Sequence, residues 1–385
     1  MLALPCCMYR RDLHGFRISF QEGDDRPMSV FDFPIGRGNP RNSEGSFLQR
    51  GEDEILFAYS CFSGDRAQDH TPADICLVRS FDGGIGWSKP VRIVRADTLQ
   101  AMNVMSVSLL RMLNGDIGLF YLVRKSWTDM YIALQCSGDD GLTWSEPVRC
   151  STRTGYFVMN NDRVIRTSSG RILIPAAEHK NSLDAQGRVK LAPASATFFF
   201  SDDDGMTWNE AETELRLSYP VCRSGLQEPG AVELHPGQLY GWARTDLGRQ
   251  YEFHSADDGL HWTEAVPSRF TSPLSPMSIR RLQNRQLMAI WNPVPVTNLI
   301  HKSRVTDCRT PLVYALSKNN GTDWSAPVVV EDNPNAGYCY TAMLPQRDAV
   351  LLAYCAGTEE DGCCLNRLRI RRLGLPPYNN TSVQE

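Results

Sequence analysis

The 385-residue sequence lacks the features that mark several large classes of protein. No apolar run approaches the roughly 18–20 residues that a membrane helix needs. Positive charge is in slight deficit, with 40 Lys and Arg against 44 Asp and Glu and a net charge of −4. We therefore expect no nucleic-acid partner and no membrane insertion. An anionic ligand would have to be held by local arginines rather than by the overall field.

Cysteine motifs for metal binding are also missing. The 12 cysteines include no CxxC pair, and the doublets Cys6–Cys7 and Cys363–Cys364 lack the second pair and the histidines of a zinc site. Free thiols in a reducing compartment are favoured over disulfides. The basic pair Arg10–Arg11 follows a short apolar stretch, which is the reverse of the order in a secretory signal. These observations predict a cytoplasmic protein without a metal.

Helical periodicity is nearly absent, and one local pattern recurs instead. The pattern Ser-X-Asp/Asn-X-Gly-X-X-Trp occurs five times, with starts 57, 64, 54 and 62 residues apart. The copies are Ser80–Trp87, Ser137–Trp144, Ser201–Trp208, Ser255–Trp262 and Ser317–Trp324. The Asp or Asn can bond to backbone N–H groups of a tight turn, the Gly supplies a positive φ, and the Trp packs between strands. We call these segments the box turns.

Short apolar segments near the box turns predict β-strands. They are Ile55–Tyr59, Ile117–Val123, Ile172–Ala176, Ala231–Leu234 and Leu351–Tyr354. Repeating units of about 40–60 residues with several strands predict the blades of an all-β propeller. The spacing leaves room for a sixth blade, which we expect to be closed by pairing of N-terminal with C-terminal strands. No linker is visible, so residues 1–385 are interpreted as one domain with a loose tail at 376–385.

Box turns at this spacing resemble the Asp boxes (BNR repeats) of the sialidase (neuraminidase) superfamily. The resemblance implies a six-bladed β-propeller of four-stranded antiparallel blades and a retaining exo-glycosidase that removes terminal sialic acid from glycoconjugates. In that family three arginines, which we call the clamp arginines, bind the substrate carboxylate. A tyrosine with a glutamate partner is the nucleophile, and an aspartate is the acid/base. A neutral phenol suits this substrate because the sugar's own carboxylate would repel a carboxylate nucleophile.

The motif match assigns two of these roles in the fourth repeat. The segment Gln227–Leu234 resembles the family strand that begins with the glutamate partner, which makes Glu228 the candidate base. After the turn that follows, the next strand ends at Arg244, the position of the second clamp arginine. Planar guanidinium groups suit a carboxylate because they bind it through two hydrogen bonds and stay charged.

The fifth repeat and the segment after it supply two more candidates. Arg309 precedes a strand and the fifth box turn, as the third clamp arginine does in the family. The segment from Tyr338 to Pro345 resembles the nucleophile strand. Tyr338, seven residues before the proline, is the predicted nucleophile, and Tyr340 on the same strand face is the alternative.

The first repeat departs from the family pattern. The Tyr/Phe-Arg-Ile-Pro motif of many members is missing, and Arg41 is the natural replacement for the first clamp arginine, in a register shifted by about two residues. Glu44 adds a carboxylate close to the expected clamp. Arg37 and Arg163 are alternative suppliers of the guanidinium group.

The acid/base is expected in the loop before the first box turn. Counting back from the following strand favours Asp69, with Asp65 as the alternative, and His70 is a rival because imidazole titrates near neutral pH. Asn161 and its polar neighbours open an inner strand and are predicted to contact sugar hydroxyl or N-acyl groups.

Two other functions stay open. The missing motif and Glu44 fit a propeller hydrolase or lyase that acts on another acidic sugar, such as a uronate. A non-catalytic carbohydrate- or protein-binding propeller is the third possibility, and the Tyr–Glu pair argues against it. The expected partner is an acidic sugar or a sialoglycoconjugate. No metal or organic cofactor is implied, and the sequence does not define an oligomeric state.

Overall fold

Twenty-seven β-strands make up the regular structure of residues 29–218, 221–296 and 307–375, the residues that this computed structural model describes. In the first half they are β1 Val30–Asp32, β2 Asn42–Gln49, β3 Ile55–Phe62, β4 Ala73–Ser80, β5 Val91–Val94, β6 Asn103–Arg111, β7 Ile117–Arg124, β8 Met130–Ser137, β9 Val148–Arg149, β10 Phe157–Val158, β11 Ile165–Arg166, β12 Ile172–His179, β13 Ser182–Leu183 and β14 Val189–Lys190. In the second half they are β15 Ala194–Ser201, β16 Asn209–Glu210, β17 Gln227–His235, β18 Gln238–Arg244, β19 Arg249–Ser255, β20 Val266–Thr271, β21 Ser278–Arg281, β22 Leu287–Trp291, β23 Leu312–Ser317, β24 Val328–Glu331, β25 Cys339–Pro345, β26 Ala349–Cys355 and β27 Leu368–Gly374.

These strands form six antiparallel blades around a central axis, as the repeat predicted. Blades 1 and 2 are β2-β3-β4-β5 and β6-β7-β8-β9. Blade 3 is built on β12, β15 and β16, and its innermost strand is split into β10 and β11. Blades 4 and 5 are β17-β18-β19-β20 and β21-β22-β23-β24, and blade 6 is β25-β26-β27-β1. The strands β13 and β14 form a separate hairpin.

Blade 6 is closed by strands from the two ends of the described chain. Strand β1 pairs antiparallel with β27, with Phe31 opposite Ile370. Asp32 accepts two hydrogen bonds from Arg369, from Nε at 2.8 Å and from Nη2 at 2.9 Å. The expected closure by N-terminal and C-terminal strands is confirmed, and it removes the exposed edges that an open ring would leave.

The five box turns connect the third and fourth strands of blades 1 to 5. In the first one the hydroxyl of Ser80 accepts from the Gly84 N–H at 2.8 Å and donates to Asp82 at 2.8 Å. Asp82 in turn accepts from the Gly86 N–H at 2.9 Å. Blade 6 needs no such connection because its fourth strand is β1. Six blades therefore carry five box turns.

The apolar core lies between adjacent blades, where the box-turn tryptophans add large side chains. Trp262 is 6% exposed, and its ring stacks on Phe198 of the preceding blade with centroids 4.2 Å apart. Phe253 meets the same indole edge-on at 5.4 Å. The second strands of blades 1, 2 and 6 (β3, β7 and β26) are buried along their whole length, which is why their sequences are continuous apolar runs.

Two further features concern the sequence predictions. Free thiols are present at Cys61, Cys76, Cys136, Cys150, Cys222, Cys339, Cys355, Cys363 and Cys364. Cys6–Cys7 and the tail 376–385 lie outside the described residues. Within the part of the chain that the structure describes, no helix is long and apolar enough to cross a membrane.

Replacing Trp262 with Ala is expected to lower the free energy of unfolding by about 3–5 kcal/mol, because the change opens a cavity between blades 3 and 4. Leu142→Ala is the control, since Leu142 lies in another box turn and is 76% exposed. It should change stability by no more than about 0.5 kcal/mol. Urea denaturation followed by tryptophan fluorescence and circular dichroism measures both, and equal midpoints would contradict the packing role of Trp262.

Candidate active site

The innermost strands of the blades enclose the central axis and share an irregularity. Strand β2 contacts β6 and β25, and β21 contacts β17 and β25. Four of these strands have a register shift, and one residue inside each shift has a left-handed φ: Glu44 (55°), Ser106 (58°), Glu228 (48°) and Tyr340 (58°). A bulge of this kind re-aims its side chain. All four side chains line one cavity of about 320 Å³ at the axis, within the size range of small-ligand sites.

A tyrosine–glutamate pair lies in this cavity. The hydroxyl of Tyr340 donates to Oε1 of Glu228 at 3.2 Å, and the same oxygen accepts from Nη2 of Arg244 at 2.9 Å. Burial raises the pKa of Tyr340 well above that of a free phenol, and the nearby charge of Arg244 opposes this effect. The phenol is therefore neutral, with a carboxylate positioned to take its proton.

Two guanidinium groups flank the ring of Tyr340. Arg244 lies 5.9 Å and Arg309 5.4 Å from the ring centroid. Arg244 lines the cavity, whereas Arg309 is not one of its lining residues. Arg309 donates to Sγ of Cys339 at 3.1 Å, and its side chain is 8% exposed. Among the residues that the structure describes, Nε of both arginines and Oε2 of Glu228 are buried without a hydrogen-bond partner. Buried polar atoms are normally paired, so these atoms point to a ligand.

Tyr338, the predicted nucleophile, lies elsewhere, and the prediction is corrected to its alternative, Tyr340. Tyr338 is 2% exposed in an apolar cluster with Met343, and its ring meets Tyr354 edge-on at 6.2 Å. Burial raises the pKa of Tyr338 to about 12. The two tyrosines are two positions apart, but the bulge at Tyr340 turns only that side chain toward the axis.

Arg41 does not line the cavity itself but joins two carboxyl groups that do, those of Glu44 and Asp69. Its Nη1 donates to Asp69 at 2.6 Å and its Nη2 to Glu44 at 2.9 Å. Nε donates to Ser43 at 3.0 Å, Nη1 also contacts the carbonyl of Ala67, and the side chain is 1% exposed. The structure brings Arg41, Glu44 and Asp69 together as expected. However, the donors of Arg41 are already engaged by the protein.

Asp69 is the accessible member of this group, with its side chain 57% exposed at the cavity. Desolvation works to raise its pKa, but the charge and hydrogen bond of Arg41, followed by the charges of Arg124 and Arg309, lower it overall. His70 does not line the cavity. Its ring instead contacts that of Trp127, with the ring centroids 5.3 Å apart. Asp65 is likewise exposed outside the cavity.

Three other predicted residues also lie outside the cavity. Asn161 is buried and donates its amide N–H groups to the carbonyls of Gly45 at 2.8 Å and Tyr340 at 3.1 Å, so it fixes backbone rather than ligand. Arg163 is buried against Trp242 and donates to Ser278 and to the carbonyl of Met277. Arg37 is exposed away from the cavity.

A family model described as a BNR repeat-like domain matches residues 56–352, more than three quarters of the chain. The chain belongs to the BNR-repeat propellers of the sialidase superfamily. The ring of six blades and the box turns in the structure agree with this membership.

Similar proteins carry sialidase names. This BNR-repeat propeller is 30% identical to mouse (Mus musculus) sialidase-4 over 144 residues, which cover 34% of this chain and 28% of that protein. It is 25% identical to the anhydrosialidase of Macrobdella decora over 170 residues, covering 42% and 20%. The matches thus span less than a third of either relative. The solved structure of a Hadza microbial sialidase superposes with a TM-score of 0.66 at 17% identity, covering 88% of this chain and 66% of that one, which shows the fold.

The sequence analysis of this BNR-repeat propeller missed several cavity residues. Arg124 lies at the cavity wall, where Nη1 donates to the carbonyl of Asp69 at 2.7 Å and the guanidinium lies 5.7 Å from the ring of Tyr156. It directly follows the apolar run Ile117–Val123, and a charged residue at the end of a buried strand is the signal that could have found it. Ser106 and Arg223 belong to no motif.

The donor atoms of the site do not suggest a metal. Among the residues that the structure describes, no group of three or more His, Cys, Asp or Glu side chains could hold a metal ion. The cavity instead combines three arginines, Arg124, Arg223 and Arg244, with the carboxyl groups of Glu44, Asp69 and Glu228. This arrangement can bind an anion and move protons.

Proposed function

We propose that this chain is a retaining glycosidase that removes a terminal acidic sugar, with sialic acid as the first candidate substrate. The observation that carries the proposal is the hydrogen bond of the Tyr340 hydroxyl to Glu228, 3.2 Å long, between two side chains that line the cavity. The guanidinium groups of Arg244 and Arg309 flank the phenol ring. A buried Tyr–Glu pair next to unpaired guanidinium N–H groups fits a nucleophile that attacks an anionic sugar.

In the first step, the oxygen of Tyr340 would form a bond to the anomeric carbon while the bond to the leaving oxygen breaks. The phenol proton would pass to Glu228, whose Oε1 already accepts it as a hydrogen bond. Asp69 would give a proton to the leaving oxygen, for which its exposed position at the cavity is suitable. The product of this step is a glycosyl–tyrosine intermediate and a released alcohol.

In the second step, water would attack the anomeric carbon and the bond to Tyr340 would break. Asp69, now ionised, would take a proton from the water, and Glu228 would return its proton to the phenolate. Both carboxyl groups then regain their starting protonation state. Two displacements at one carbon retain its configuration.

Arg244 and Arg309 would hold the sugar's carboxylate. Their buried Nε atoms have no hydrogen-bond partner among the described residues, and a carboxylate can accept from two N–H groups of one guanidinium. The names of the relatives, mouse sialidase-4 and the Macrobdella decora anhydrosialidase, support sialic acid as the ligand.

Glu44 favours a second candidate, the same chemistry on another acidic sugar such as a uronate. Its carboxyl group lines the cavity where a third guanidinium would otherwise strengthen carboxylate binding, and Arg41 is engaged by Glu44 and Asp69. Rates on the 4-methylumbelliferyl conjugates of sialic acid and of glucuronic acid separate the two candidates. Faster release from the glucuronide would favour the second.

Tyr340→Phe is expected to reduce kcat/KM for the 4-methylumbelliferyl sialic acid conjugate by about a hundredfold or more, because the variant has no nucleophilic oxygen and no proton to transfer. Tyr338→Phe is the matched control and should keep wild-type activity, since that side chain lies in the apolar core. Circular dichroism and thermal melting verify the fold of both. Loss of activity in Tyr338→Phe alone, or no turnover of any acidic sugar by folded wild type between pH 4 and 8, would contradict the proposal.

Arg309→Lys is expected to raise KM for an acidic substrate by roughly 10- to 100-fold, because an ammonium group cannot reproduce the planar donor pair of a guanidinium. Arg37→Lys provides the comparison, because Arg37 is exposed outside the cavity. Steady-state kinetics with a saturating range of substrate gives KM for both variants. A KM unchanged in Arg309→Lys would remove Arg309 from the clamp.

Asp69→Asn is expected to slow release of an unactivated sugar alcohol, as in 3′-sialyllactose, by about 10²–10⁴-fold. The loss on the 4-methylumbelliferyl conjugate should be much smaller, because its leaving group departs without full protonation. His70→Ala should affect neither rate. If His70→Ala instead shows the selective loss, the acid is His70 and the role of Asp69 is wrong. Only the protonated form of Asp69 can act as the acid, and its lowered pKa makes that form scarce at pH 7. kcat/KM for the unactivated substrate should therefore rise as the pH falls below 7.

A further inference from the structure

Glu44 occupies in blade 1 the position that Glu228 and Tyr340 occupy in blades 4 and 6. Each of the three lies inside a register shift of an innermost strand and has a left-handed φ, between 48° and 58°. Non-glycine residues rarely adopt this conformation, and it clusters at functional sites. The fold therefore presents the carboxyl group of Glu44 to the same cavity as the proposed nucleophile and its base.

The contacts of Glu44 leave its negative charge only partly balanced. Oε1 accepts from Nη2 of Arg41 at 2.9 Å, and Oε2 accepts from the hydroxyl of Ser106. Arg41 is shared with Asp69, so one guanidinium serves two carboxyl groups. The side chain of Glu44 is 4% exposed, and ionisation in such a place is costly.

The groups around Glu44 mostly disfavour its ionised form. Burial raises the pKa of Glu44 to about 7; the charge of Arg41 and the hydrogen bond from Ser106 oppose this, while the negative charges of Asp69 and Glu228 add to it. The groups that face it from other elements are Asp69 in the β3–β4 loop, Ser106 on β6, Glu228 on β17, Tyr340 on β25 and Cys355 on β26.

We propose that Glu44 is a specificity-determining residue that admits the carboxylate of an acidic sugar only when Glu44 is in its neutral, protonated form. This inference rests on the proposed function, because it requires an anionic ligand in the cavity. An ionised Glu44 would repel the ligand carboxylate, whereas a carboxylic acid can donate a hydrogen bond to it.

Proton-linked binding has a definite dependence on pH. Below about pH 7 Glu44 already carries its proton in the free protein, and binding needs no proton uptake. As the pH rises above 7, the free protein loses that proton and binding must restore it. The affinity for an acidic sugar should then fall by at most about tenfold per pH unit, the limit for one proton.

Isothermal titration calorimetry with 2,3-dehydro-2-deoxy-N-acetylneuraminate, a non-hydrolysable sialic acid analogue, tests the proposal. Titrations at pH 7.5 in buffers of different ionisation enthalpy give the number of protons taken up. Wild type should take up roughly 0.5–1 proton per ligand, and Glu44→Gln, a neutral isostere, roughly none with affinity that no longer falls with pH.

A control variant addresses the histidine that lines the cavity. His179 lines the cavity, and burial lowers its pKa, so it is neutral at pH 7.5 and could also take up a proton. Under the proposal, His179→Gln keeps the proton uptake of the wild type. Loss of the uptake in His179→Gln, with uptake kept in Glu44→Gln, would overturn the assignment to Glu44.

A second variant keeps the proposal testable if Glu44→Gln does not fold. Ser106→Ala removes a hydrogen bond that favours the ionised carboxylate, so the pKa of Glu44 and the pH above which affinity falls should both move upward. An unmoved pH profile, or binding by wild type without proton uptake, would overturn the inference and leave the sugar-binding function standing. No binding of the analogue by wild type between pH 5 and 8 would overturn the proposed function, and the inference with it.

Discussion

Closure of the ring by strand β1 is the constraint on which the rest of the structure depends. The closing blade takes three strands from the C-terminal end of the described chain and one from its N-terminal end, joined by backbone pairing and by the two hydrogen bonds of Arg369 to Asp32. Tyr340 belongs to this blade, whereas Glu228 belongs to blade 4 and Glu44 to blade 1. Only a closed ring holds these side chains around one cavity, so the pairing of β1 with β27 maintains the arrangement of side chains at the axis.

Most of the fold could be predicted from the repeat, because a box turn is a local structure whose requirements are visible in eight residues. Ser80, Asp82 and Gly84 make the bonds that their residue types suggest. The difference between five turns and six blades is also explained locally, since the connection from third to fourth strand is missing wherever the chain closes on itself. Apolar runs located the second strands β3, β7, β12 and β26 for the same reason, because burial on both faces leaves a continuous apolar signal.

The site was only partly predictable. Glu228, Arg244 and Arg309 follow from the motif match, and the structure brings them together. The sequence could not show that Tyr340 and not Tyr338 lines the cavity, because alternation along a strand gives the two residues one face, and a left-handed bulge leaves no mark in the sequence. Arg124 was missed because its proximity to Asp69 depends on how two blades meet. Residues that belong to a motif could be predicted from the sequence, whereas the direction of side chains at the axis could not.

The left-handed residues at the axis have a consequence for directed evolution. Holding a non-glycine side chain in that backbone region costs about 1–3 kcal/mol per residue, and glycine relieves the cost. At Ser106, replacement by glycine would therefore relax the backbone while removing a cavity side chain. At Glu44 and Glu228 it would also leave the buried Arg41 and Arg244 without a carboxylate partner, which costs more than the strain that glycine relieves. Selection for heat resistance alone is therefore expected to keep the two buried ion pairs and to favour glycine first at Ser106.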